Sequence, residues 1–119
     1  MQIANITFDA LDPVRLATFW AAATGRELAE PTPGVAILTA ANDPVRLLFL
    51  QVREAKTTKN RMHLDFHTAD RAAEVARLLS LGATAHDTHH EYGMEWTVMS
   101  DPEGNEFCVV QEGGNATAS

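Results

Sequence analysis

A single cysteine, Cys108, is all the thiol this chain holds. No internal disulfide can form, which fits a reducing compartment. Long hydrophobic runs are missing too, and none approaches the ~20 residues of a membrane-spanning helix. The opening stretch, Met1 to Phe8, lacks the basic start and extended apolar core of a secretory signal. The expected location is therefore the cytoplasm, with no membrane partner. Positive charge is scarce: 9 Lys and Arg stand against 16 Asp and Glu, a formal net charge of -7. Phosphate backbones repel such a surface, which argues against nucleic acid as a partner. The cluster Arg53, Lys56, Lys59 and Arg61 runs against the overall sign. It reads as a solvated linker rather than an anion-binding patch.

What remains is a chain of 119 residues, 45% of them hydrophobic, enough for one domain around a single core. Gln2 to Asp9 is rich in β-formers. Asp12-Pro13 supplies an N-cap followed by proline at the first helical position. Val14 to Thr24 then reads as a helix, because Leu16, Phe19, Trp20 and Ala23 recur at helical spacing. Gly25 is placed to end it. Three strands follow, a weak one over 27–30 and stronger ones over 35–39 and 45–52, separated by turns at 31–34 and 41–44.

After the polar stretch 53–60 the same order returns. A strand over 61–67 precedes Asp70, which caps a helix over 71–81 with Ala72, Val75, Ala76 and Leu79 on one face. Gly82 ends that helix. A short strand over 83–87, a polar loop over 88–93, a strand over 94–100, the turn Asp101-Pro102-Glu103-Gly104-Asn105 and a last strand over 106–111 complete the half. Residues 113–119 are small and polar, with the composition of a disordered tail. The sequon Asn115-Ala116-Thr117 reads as a chance match without a secretory signal. The halves, about 1–52 and 61–112, thus repeat as β-α-β-β-β within one domain over 1–112. Asp12 aligns with Asp70, Asn5 with His63, and Gly25 falls within one residue of Gly82. The repeat is one of order and punctuation rather than of residues.

Three stretches carry a resemblance. Asp101-Pro102-Glu103-Gly104-Asn105-Glu106-Phe107-Cys108-Val109 resembles the final turn and strand of the vicinal oxygen chelate superfamily, the group of glyoxalases, bleomycin resistance proteins and extradiol dioxygenases. Lys59 to Asp65 and Leu11-Asp12-Pro13 with Phe19-Trp20 are similar to its glyoxalase-like branch. The resemblance spans about residues 3 to 111. It implies an α+β fold in which two tandem βαβββ modules form a cupped eight-stranded mixed sheet, with helices on the convex side and the ligand in the cup. It also implies a homodimer.

Strand alternation sorts side chains onto that expected architecture. Ile6, Phe8, Leu47, Phe49, Leu64, Phe66, Phe107 and Val109 fall on the helix side. Asn5, Thr7, Asp9, Leu48, Leu50, His63, Asp65, His67, Glu106, Cys108 and Val110 fall on the other. Met94 and Trp96 share a parity that makes them an aromatic wall of the pocket or, equally, packing residues. His86, His89 and His90 fall in or near the polar loop and read as solvated.

The resemblance implies four metal-ligand positions, which fall on Asn5, Leu50, His63 and Cys108. Only His63 is a standard donor there. Leu50 cannot coordinate, Asn5 is a weak neutral donor, and Cys108 stands where a glutamate is usual. A catalytic site generally offers three good protein ligands and an open position. The expectation is therefore no resident cofactor, with His63 and Cys108 as the donors should a divalent metal bind. Glyoxalase chemistry needs a metal and a carboxylate base, so true glyoxalase I activity is not expected. Two functions stay open. One is binding or sequestration of a small hydrophobic or aromatic metabolite or drug by Asn5, Thr7, Asp9, Leu50, His63, Asp65, Met94, Trp96 and Cys108. The other is a lyase- or isomerase-type enzyme using His63, Asp65 and His67, with or without a divalent metal.

Overall fold

A computed structural model describes residues 3–91 and 93–113. Helix-start and helix-stop residues set the frame of each half. Asp12 accepts a hydrogen bond from the Arg15 amide at 3.2 Å, and Pro13 opens α1 (Pro13–Thr24). Asp70 accepts from the Ala73 amide at 3.1 Å and opens α2 (Arg71–Leu81). Each carboxylate satisfies an amide that has no partner within its own helix. Both helices end on a glycine in the left-handed region, Gly25 at φ 74° and Gly82 at φ 114°, where a Cβ would be strained.

Around them run β1 (Asn5–Ala10), β2 (Glu27–Leu28), β3 (Val35–Ala40) and β4 (Asp43–Gln51) in the first half. The second half has β5 (Leu64–Thr68), β6 (Thr84–Glu91), β7 (Met94–Ser100) and β8 (Glu106–Gln111). The fold is α+β, with two tandem βαβββ modules that supply eight strands. The chain divides into two compact units, one through Lys56 and one from Thr57. Each carries its own four-stranded mixed sheet, ordered β1-β4-β3-β2 and β5-β8-β7-β6. In each, the first and last strands pair in parallel and the others antiparallel.

The helix-side parity is as the alternation predicts. In the first unit Leu16, Ala17, Phe19 and Trp20 of α1 pack with Leu38, Leu47 and Phe49, all buried. Phe8 stacks on Phe49 with ring centroids 4.9 Å apart and meets Trp20 at 5.6 Å. In the second unit Leu78 of α2 and Met99, Phe107 and Val109 are buried, and Phe66 meets Phe107 edge-on at 6.0 Å.

Several elements differ from the sequence expectation: β5 starts at Leu64 rather than at residue 61, so His63 precedes the strand, and β2 is confined to Glu27–Leu28. β4 begins at Asp43, inside the expected turn. Arg26 ties it down, with Nη2 2.7 Å from Asp43 Oδ2 and Nη1 donating to the Val45 carbonyl. β6 runs to Glu91 and absorbs most of the expected loop 88–93. Its side chains pair across to β7: Thr88 Oγ1 lies 2.8 Å from Thr97 Oγ1, and His90 Nε2 lies 2.8 Å from Glu95 Oε2. β6 is an edge strand with a register shift between Ala85 and Thr88, so its sequence shows no clean alternation. The expected tail, from residue 114, and its sequon lie outside the described residues.

Candidate functional site

The turn before β8 sets the site in place. Asp101 is buried and accepts from the amides of Glu103 and Asn105, both at 2.9 Å, and from Asn105 Nδ2 at 2.8 Å. Gly104 occupies the left-handed region at φ 90°, and its amide donates to the Asp101 carbonyl. The chain thereby reverses and enters β8 with Phe107 and Val109 on the helix side. Glu106, Cys108 and Val110 fall on the opposite face.

Register does the rest. Asp65 lies opposite Cys108 across the parallel β5–β8 pair, and Cys108 lies opposite Val98 of β7. One row further along, His67 lies opposite Val110, Val110 opposite Trp96, and Trp96 opposite His89 of β6. Segment 59–63 is held against the start of β8, because the Asn60 amide donates to Glu106 Oε1 at 2.9 Å and Asn60 Nδ2 to the Glu106 carbonyl at 3.1 Å. The result is a cavity of about 320 Å³ lined by Lys59, His63, Asp65, Met94, Trp96, Val98, Glu106, Cys108 and Val110. Every one of these residues belongs to the second unit.

The cavity has two ends of different character. Met94, Trp96, Val98 and Val110 make an apolar wall. The Trp96 indole is braced from β6 by His89, whose ring stacks on it at a centroid distance of 5.3 Å and 25°. The other end is polar. His63 Nδ1 lies 3.1 Å from Asp65 Oδ1, with both side chains about half exposed. Burial pushes the Cys108 thiol up to about 11, helped by the neighbouring Asp65 charge and by the hydrogen bond the thiol gives that carboxylate; Lys59 opposes the shift. The thiol is thus a neutral donor in the free protein, not a nucleophile.

Of the residues singled out from sequence, His63, Asp65, Met94, Trp96 and Cys108 line one cavity. His67 has the expected parity but sits further along β5, exposed and outside the lining. Asn5, Thr7, Asp9 and Leu50 lie on the face of the first sheet opposite α1, where Asn5 Oδ1 accepts from Arg46 Nε at 2.9 Å. Sequence reasoning missed Lys59, which stands in a stretch without periodicity. It also missed Val98, although that residue has the parity of Trp96.

His63 Nδ1, an Asp65 carboxylate oxygen and Cys108 Sγ all lie within 4.8 Å of one another. The four-donor site implied by the resemblance does not fit these residues. Leu50 offers no donor atom, and the Asn5 amide oxygen is already engaged by Arg46.

Comparison with known proteins gives the same architecture. A family model described as a glyoxalase-like domain matches residues 5–110. No curated protein matches the chain. Among solved structures, a glyoxalase/bleomycin resistance protein/dioxygenase family enzyme from Burkholderia phytofirmans PsJN superposes with a TM-score of 0.77 at 18% identity, covering 93% of this chain and 98% of that one. TnmS3, an antibiotic binding protein from Streptomyces sp. CB03234, gives a TM-score of 0.69 at 18% identity, over 93% and 95%. The lactoylglutathione lyase from Agrobacterium tumefaciens gives 0.66 at 18% identity, over 93% and 93%. At this identity the likeness concerns the fold alone.

Proposed function

Since the chain belongs to the glyoxalase-like domain family, we propose that its second module binds and sequesters a small hydrophobic or aromatic metabolite or drug in the cytoplasm, as part of a homodimer. One observation carries this reading: a cavity of about 320 Å³ with an apolar wall built on a braced Trp96. That volume lies at the small end of ligand pockets, which pair a mostly apolar lining with a few polar groups for orientation. An aromatic ligand gains both burial and offset stacking on the indole. The polar end, Asp65, His63 and the protonated Cys108 thiol, supplies acceptors and donors for one heteroatom edge of the ligand. The antibiotic-binding activity of a structural neighbour is in keeping with such a use of the fold.

The test is a thermal-shift panel of aromatic antibiotics, polycyclic phenols and aliphatic controls on the full chain. Aromatic members should raise the melting temperature, and Trp96→Ala should weaken the best of them by about thirtyfold, the equivalent of ~2 kcal/mol at a central aromatic anchor. A panel in which no aromatic compound stabilises the protein defeats the reading.

A second reading rests on the 3.1 Å contact between His63 and Asp65. A histidine oriented by a carboxylate can pass a proton, which suits a lyase or isomerase. His67 would then act outside the cavity lining. Turnover of an α-keto or thioester substrate that disappears in His63→Ala would favour this reading over sequestration.

A further inference from the structure

We propose that His86 and Ser100 form a nucleophilic dyad on the second module: Ser100 Oγ takes a short acyl group from an activated, uncharged ester, and His86 is its general base. The inference goes beyond the binding reading and does not depend on it. His86 Nε2 lies 2.7 Å from Ser100 Oγ. At that reach an imidazole can accept the hydroxyl proton as the oxygen attacks. The pair stands outside the cavity lining and uses neither His63, Asp65 nor Cys108.

A local irregularity of the sheet builds the pair. Ala85 lies opposite Met99 and Thr88 opposite Thr97, so His86 and Asp87 of β6 together span the place of Val98 alone on β7. Two residues against one is a β-bulge, which re-aims the side chain it carries. His86 thereby reaches Ser100. The serine itself is pinned from both sides, opposite Thr84 of β6 and Glu106 of β8. The turn that follows is closed by the Asp101 amide, which donates to the Asn105 carbonyl at 2.9 Å. The nucleophile is thus fixed on paired backbone. The base is exposed on an edge strand, where it can pass its proton to a leaving group or to water.

Burial and charge select the acyl donor. Ser100 is 9% exposed, so its hydroxyl is reached by an acetyl-sized group rather than by a long acyl chain. Its register partner Glu106 carries a carboxylate, which repels anionic donors. A dyad suits an activated ester, one whose phenol leaves readily. In the step, the Ser100 O–H proton passes to His86 Nε2, a bond forms between Oγ and the acyl carbon, and the bond from that carbon to the aryl oxygen breaks. His86 then gives its proton to the departing phenolate, so atoms and electrons balance without a co-reactant. The tautomer required holds its own proton on Nδ1 and leaves Nε2 as the acceptor.

Treatment of the full chain with p-nitrophenyl acetate tests this. Peptide mass mapping of acid-quenched samples should find an acetyl group on Ser100. Ser100→Ala should remove that site from the map and lower the early release of nitrophenol. His86→Gln, which keeps a hydrogen-bonding side chain at an exposed position, should slow acetylation of Ser100 by at least about a hundredfold. His90→Gln, at another exposed histidine of β6, should leave the rate unchanged. Matching far-ultraviolet circular dichroism shows that each variant has folded. Absence of the acetyl group at Ser100 in the wild type overturns the proposal. So does acetylation that runs as fast in His86→Gln as in the wild type, or that slows equally in His90→Gln. Aromatic binding at Trp96 stands or fails on the thermal-shift panel, whatever happens at Ser100.

Discussion

Cys108 is where packing and chemistry meet in a single side chain. Its thiol ordinarily titrates near 9.0 and is held to about 11 in the folded chain by burial and by Asp65. Between those values the folded state binds more protons than the unfolded one. Stability is therefore full below about 9 and declines as pH rises toward 11. Urea midpoints measured across that window should fall for the wild type and lack this component in Cys108→Ala. By the same shift, iodoacetamide at about pH 8 should alkylate Cys108 roughly a hundredfold more slowly than an unperturbed thiol, since only the thiolate reacts. Parity along β5 and β8 was enough to put Asp65 and Cys108 on one face from sequence, and His63 stands just ahead of β5. The pairing of Asp65 with Cys108 was not legible, because a parallel register between strands some forty residues apart leaves no local mark. His67 shares the parity of Asp65 and lies two residues further along β5, outside the cavity lining.

At the scale of elements, the helices were the most readable part. Asp70 and Gly82 bracket α2 at the bounds that capping and periodicity predict, and Asp12-Pro13 with Gly25 bracket α1. Asp70→Ala should cost about 1 kcal/mol by orphaning the Ala73 amide. Gly82→Ala should cost at least roughly 1 kcal/mol, because the left-handed backbone at φ 114° penalises any Cβ; the space itself is open enough, with Pro102 at an ordinary contact distance of 3.7 Å. Guanidinium midpoints for the two variants check both values. β6 was the least readable element. Thr84–Glu91 contains no apolar residue except Ala85, and most of it is exposed, so neither composition nor periodicity separates it from a loop. Its strand character comes from β7, through the Thr88–Thr97 and His90–Glu95 pairings that only register supplies.

At the scale of the whole molecule, the repeated order of elements was visible in punctuation while residue identity between the halves was slight. Glycines and N-caps are constrained by backbone geometry; the faces of the strands are not. The sheet orders place β1 and β2 at the edges of one sheet and β5 and β6 at the edges of the other, and Ile3 and Met62 stand 72% and 83% exposed ahead of β1 and β5. Open edges and exposed apolar side chains both favour association. Light scattering in solution should return twice the 13.0 kDa chain mass, and a mass of one chain would remove the homodimer from the functional reading. Along β7 the cavity residues Met94, Trp96 and Val98 alternate one for one with Glu95, Thr97 and Met99 on the helix side. On the proposed binding reading, selection, natural or in the laboratory, would rewrite ligand preference at every second letter of the strand. The letters between face the helix and hold the fold, with Thr97 and Met99 buried.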